Sequence, residues 1–159
     1  MKEKKMSAGV WVAVCTAILA VISLIVYSMN VSSAGYFQNA SVNNLVLYGI
    51  LAVAALVVAI VLSRVKVSGA AGKVVSLVTG CLQIAAPALL ALCLINLVSG
   101  RVEGLGFIYF SNADVALEVQ TAENMSSATT AITSMVCFGV SMLAGIVAAF
   151  FNLNKAEAK

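Results

Sequence analysis

Four apolar runs constrain the fold of this chain more than any other feature: Ala8 to Met29, Leu45 to Ser63, Val74 to Val98 and Ala128 to Phe151, none holding a Lys, Arg, Asp, Glu or His. Each reaches the roughly 20 residues that cross a hydrocarbon core. In lipid the backbone must satisfy its own hydrogen bonds, so β-branched residues that weaken a helix in water do not prevent one there. The expectation is an all-α integral membrane protein with four transmembrane helices. With 62% of its 159 residues hydrophobic and 9% charged, the chain has too little polar surface to coat a water-soluble globule. A membrane barrel is excluded because its strands would alternate apolar and polar residues.

Lys2, Lys4 and Lys5 ahead of the first run, with Ser32 and Ala34 after it, also resemble a signal peptide. The run exceeds the roughly 7–15 residues of a signal core, so helix one reads as a retained signal anchor. Orientation follows from the basic residues near the helix ends. One side collects Lys2, Lys4, Lys5, Arg64, Lys66, Lys73, Lys155 and Lys159 against Glu3 and Glu157, eight cations and two acids, for +6. The other has Arg101 against Glu103, Asp114, Glu118 and Glu123, one cation and four acids, for −3. The first side, with both termini, is expected in the cytoplasm, so the net +3 is a topology signal and carries no implication of nucleic acid. Aromatics agree: Tyr27, Tyr36, Phe37, Tyr48, Phe107, Tyr109 and Phe110 gather at the outer boundary, and Trp11, Phe150 and Phe151 at the inner one.

The segment Tyr36-Phe37-Gln38-Asn39-Ala40-Ser41-Val42 returns as Tyr109-Phe110-Ser111-Asn112-Ala113-Asp114-Val115, identical at five of seven positions. Both copies fall between two apolar runs, so the chain reads as a parallel tandem repeat of two helix-loop-helix units, 1–73 and 74–159. The second helix of each unit carries a lane of small residues: Tyr48, Ala52, Ala55, Ala59 and Ser63, then Thr130, Ser134, Cys137, Ser141, Gly145 and Ala148. Steps of three and four put each lane on one face, and small side chains let helices approach closely in lipid. Within the outer loop 100–127, residues Val115, Val119 and Ala122 share a helical face, so a short amphipathic helix is expected there, with a hairpin turning at Ser111 to Asp114 as the alternative. Thr121 or Ser126 offers a cap for helix four.

Histidine is absent, which removes histidine-ligated haem, histidine metal sites and the commonest general base. No carboxylate or lysine lies at membrane depth, so no proton relay or ion-coupling residue is evident. The small multidrug transporters share this size and helix number but depend on a membrane-embedded glutamate that is missing. Claudin-like proteins have paired outer cysteines, whereas Cys15, Cys81, Cys93 and Cys137 all lie in the apolar runs and read as buried packing residues. The triplets at Asn30, Asn39 and Asn124 that match a glycosylation acceptor read as polar loop residues.

No catalytic residue, metal or cofactor is therefore expected. The intramembrane polar candidates are Gln83 and Pro87, because the proline withholds the amide that the Gln83 carbonyl would receive. Gln83 is expected to bond a neighbouring helix, with substrate binding as the alternative. The partner-binding candidates are Tyr36, Phe37, Asn39, Tyr109, Phe110 and Asn112, aromatic area beside amides. These features imply a non-catalytic multi-pass protein of a plasma membrane, bacterial because the chain is compact and its outer loops lack cysteines. It would serve as an accessory or scaffold subunit that binds another membrane protein, or itself as an oligomer, through its outer loops. A small oligomeric transporter or channel is the alternative.

Overall fold

Buried positions recur in steps of four and three along every long helix, and that 3.5-residue period is the repeat of left-handed, knobs-into-holes packing. In a computed structural model describing residues 8–65, 69–151 and 153, the long helices are α1 (Ala8–Ser32), α2 (Leu45–Leu62), α3 (Ala70–Phe110) and α5 (Ala122–Phe150), with a short α4 (Ala113–Val119) between the last two. Helix α1 buries Gly9, Ala13, Thr16, Ala20, Ser23, Tyr27 and Asn30. Helix α5 answers with Ala131, Ser134, Phe138, Ser141, Gly145 and Ala148. On α2 the series is Leu45, Gly49, Ala52, Leu56 and Ala59, and on α3 it is Thr79, Gln83, Ala86, Leu90, Cys93 and Leu97. Neighbours in the bundle run α1, α2, α3, α5 and back to α1.

The described residues are all helix, turn or irregular chain, with four helices long and apolar enough to cross a membrane. Their outer faces are rich in exposed Ile, Val and Leu. Of the basic residues that set the expected orientation, Lys2, Lys4, Lys5, Lys66, Lys155 and Lys159 lie outside the described residues, as do Glu3 and Glu157. Arg64 and Lys73 are exposed at the α2–α3 connection, the opposite end from α4.

The two kinds of seam differ in chemistry. Between α2 and α3 the buried side chains are almost wholly apolar, centred on Leu45, Ala52, Leu90, Cys93 and Leu97. Between α1 and α5 a polar residue appears every seventh position on both sides: Thr16, Ser23 and Asn30 against Ser127, Ser134 and Ser141, all essentially inaccessible. The Ser23 and Ser141 hydroxyls meet at 2.9 Å, while Ser134 Oγ has no partner among the described residues. Gly145 lets three helices converge, since a Cβ there would stand 3.1 Å from Pro87 Cβ and 3.5 Å from Thr16 Cγ2. The small-residue lane of α5 is thus a packing seam that takes the proline of α3.

The span expected to end at Val98 continues as helix through Phe110, so much of the outer loop 100–127 is helical. The continuation is stabilised because its own face remains buried, through Arg101, Gly104 and Ile108. At 41 residues and about 1.5 Å per residue, α3 is about 60 Å long, twice a hydrocarbon core of roughly 30 Å. The segment after it is helix and not hairpin: Asn112 Oδ1 accepts from the Val115 N–H at 3.0 Å and starts α4. Thr121 Oγ1 accepts from the Asn124 N–H at 3.2 Å and starts α5.

Burial corrects two further expectations. Tyr27 is buried, its hydroxyl accepting from the Val42 N–H at 2.6 Å, and so is no headgroup anchor. Cys93 and Cys137 are at least partly buried, but Cys15 and Cys81 fall on outward faces.

Candidate functional site

At the α4 end, the α1–α2 loop folds down onto α3 and α5 and forms an ordered cap around Arg101. This arginine is 2% exposed, the largest of the fully buried side chains. Its Nε donates to Asn30 Oδ1 at 3.3 Å, its Nη2 donates to the Ala40 carbonyl, and its guanidinium lies 4.6 Å from the centroid of the Phe37 ring. These are neutral partners: two amide oxygens and the electron-rich face of an aromatic ring, which attracts a desolvated cation.

The arginine is one node of a network that joins every part of the cap. Asn30 also donates through Nδ2 to the Ser127 carbonyl at 2.8 Å, and Ser127 Oγ accepts the Phe37 N–H at 3.1 Å. One asparagine thus links α1 to α3 and α5, and one serine links α5 to the loop. The loop is shaped to fit. Gly35 has φ +124°, and a Cβ on it would come within 2.6 Å of the Glu123 carbonyl oxygen. Asn39, at φ 58°, adopts the left-handed conformation that asparagine tolerates better than most residues, and its N–H returns to the Val31 carbonyl at 2.8 Å. Gly104 gives the loop's rings their seat on α3, since a Cβ would stand 2.5 Å from Tyr36 and 2.6 Å from Phe37.

The six partner-binding candidates fall into two unlike environments. Tyr36 and Phe37 lie in a turn, edge to face at 5.2 Å and 83°. Phe37 is 3% exposed beneath Arg101, while Tyr36 is 44% exposed and leans on Phe107 at 6.0 Å. Asn39 is exposed and serves the turn through its backbone. Tyr109 and Phe110 occupy the last turn of α3, with Phe110 87% exposed, and Asn112 caps α4. The ring that α3 supplies to Tyr36 is Phe107, a position with no counterpart in the repeated motif. Helix α4 buries none of its residues, and its Leu117 is 86% exposed.

Within the bundle, Gln83 is buried and its Nε2 donates to the carbonyls of Ala148 at 3.2 Å and Phe151 at 3.3 Å, tying α3 to the end of α5. Pro87 is buried against Gly145. The amide of Gln83 therefore closes the far end of the bundle much as Asn30 and Arg101 close the cap. Among the described residues, no group of three or more His, Cys, Asp or Glu side chains is placed to hold a metal ion.

Arg101 and Asn30 were not singled out from sequence. Two signals pointed to them: the heptad series Thr16, Ser23, Asn30 in an otherwise apolar helix, and a lone cation just beyond an apolar run. Comparison with known protein families, with curated proteins and with solved structures finds no match.

Proposed function

We propose that this chain is a membrane-embedded, non-catalytic subunit whose ordered cap docks another membrane protein on the outer side of a plasma membrane, bacterial by its outer loops without cysteine, with both termini in the cytoplasm. The observation that carries the reading is the use of the buried Arg101. Its Nη2 and its ring contact hold the α1–α2 loop and its Nε holds the end of α1, so the cation works as a clamp and not as a reagent. Burying a cation in this way costs desolvation, and what it achieves is a loop of fixed shape. A preorganised surface loses less entropy on association.

Around the clamp the cap exposes Tyr36, Phe107, Tyr109 and Phe110, the aromatic side-chain types enriched at interfaces. Phe37 and Asn39 support that surface from within the turn, and Asn112 supports it by starting α4.

The test is purification from native membranes in mild detergent, comparing the natural chain with Tyr36→Ser/Phe110→Ser. Loss of one defined membrane protein from the variant, with thermal stability retained, is the expected result. A variant that keeps every companion would refute the docking role. A homo-oligomer that fluxes solute in liposomes would replace it with transport.

A further inference from the structure

On the flank of the cap a groove of about 380 Å³ opens between the last turn of α1 and the first turn of α2. Besides Tyr27, four of its lining side chains are polar and uncharged: Ser28, Ser32, Ser41 and Asn44. Elsewhere hydroxyls on these helices turn back to the carbonyl one turn earlier, as Thr16 and Ser23 do at 2.9 and 2.8 Å. Ser28 and Ser32 make no such bond and stand exposed, one turn apart on a single face. Asn44 starts α2 with no side-chain cap bond. Among the described residues the four groups make no side-chain hydrogen bond, and all four line the groove.

The wall behind them is fixed. Tyr27 holds the Val42 N–H, Arg101 holds the Ala40 carbonyl, and the Val42 side chain sits where a Cβ on Gly100 would come within 3.1 Å. The only lining group with an acidic or basic side chain is the Tyr27 phenol, already engaged. A fixed pocket of hydroxyls and one amide, without charge, matches a neutral ligand bearing several hydroxyls, because each such group both donates and accepts.

The surroundings determine how that ligand arrives. Below Ser28, in steps of three and four, Ile25 and Val21 are exposed on α1, and below Leu47 the exposed residues of α2 include Ile50 and Leu51. Polar groups thus stand directly above an apolar flank, the profile of a headgroup over its acyl chains. We infer that this groove binds the headgroup of a neutral glycolipid, a sugar-bearing diacylglycerol, with the chains lying along α1 and α2. The inference rests on the membrane-embedded part of the function proposed above, and not on the docking partner.

The experiment uses the full chain in phosphatidylcholine nanodiscs containing a few per cent of either monoglucosyl diacylglycerol or phosphatidic acid, with retained lipid read by native mass spectrometry. The glucosyl lipid is expected to be enriched about tenfold over its share of the bilayer, and phosphatidic acid not at all. Ser28→Ala/Ser32→Ala removes two of the groove's hydrogen-bonding groups, so the roughly tenfold enrichment should fall most of the way to the lipid's share of the bilayer with thermal stability unchanged. Ser41→Phe, which fills the groove, should abolish it. Equal retention of phosphatidic acid, or enrichment indifferent to both variants, would overturn the inference. A chain that fails to insert would sink the membrane reading itself, whereas insertion without preference sinks only this one.

Discussion

Replacing Arg101 with leucine tests the cap directly. The change removes a charged donor from Asn30 Oδ1 and the Ala40 carbonyl and leaves the Phe37 face without its cation. Hydrogen bonds to a charged group contribute about 1.5 kcal/mol each at the low end, and a desolvated cation–π contact about 2 kcal/mol, for a gross loss of about 5 kcal/mol. Against this, the buried charge no longer needs desolvation and leucine packs well, which recovers about 2 kcal/mol. The net, about 3 kcal/mol, is a change of roughly a hundredfold in an opening equilibrium. Hydrogen exchange can read it, because the loop amides of Phe37, Asn39 and Val42 are all bonded in the closed cap, to Ser127 Oγ, the Val31 carbonyl and Tyr27 Oη. Exchange at these amides should accelerate by one to two orders of magnitude, while amides around Leu90 in α3 keep their protection. Unchanged exchange in the loop would refute the clamp. So would acceleration spread equally through the bundle, because the arginine would then support the whole fold and not the cap.

Three further outcomes are expected. Gln83→Leu should lower thermal stability by about 1 kcal/mol, the usual worth of an interhelical bond in lipid, with partner retention intact; a folded variant that loses its partner would make Gln83 a binding residue. Gly104→Ala should loosen the loop by about 1–3 kcal/mol, since the new methyl overlaps the Tyr36 and Phe37 rings, and loop exchange as slow as in the natural chain would contradict that. Ser134→Ala should leave stability unchanged or raise it, because the hydroxyl removed has no partner among the described residues; a clear loss, read by thermal melting, would contradict this.

The apolar runs were legible because lipid imposes a length and a composition together, and all four reappear as long helices. Their ends were less so. Hydropathy stops at Val98, but α3 continues because Arg101, Gly104 and Ile108 keep one face buried, a tertiary effect invisible to a count of apolar residues. Thr121 was legible as a cap because capping is local. The repeated Tyr-Phe-x-Asn-Ala segment misleads about conformation. Its first copy is a turn held by Gly35 and Asn39, and its second is a helix end followed by a capping asparagine. Phe37 illustrates the limit most clearly, since only its neighbours decide whether a ring in a loop faces a partner or an arginine.

The unequal chemistry of the seams bears on how the chain is made. Helices α2 and α3 are consecutive and meet through apolar and small residues, so in a bilayer they can pair as soon as both have left the ribosome. Helix α1 emerges first, yet its packing partners Ser127 and Ser141 lie near the end of the chain. Thr16 and Ser23 can shelter their hydroxyls on their own helix in the meantime, but the amide of Asn30 waits for α5 and Arg101. The α1–α5 seam therefore cannot close until α5 has been made. A chain without α5 would leave the Asn30 Nδ2 without the Ser127 carbonyl, a carboxamide donor unanswered on an otherwise apolar helix.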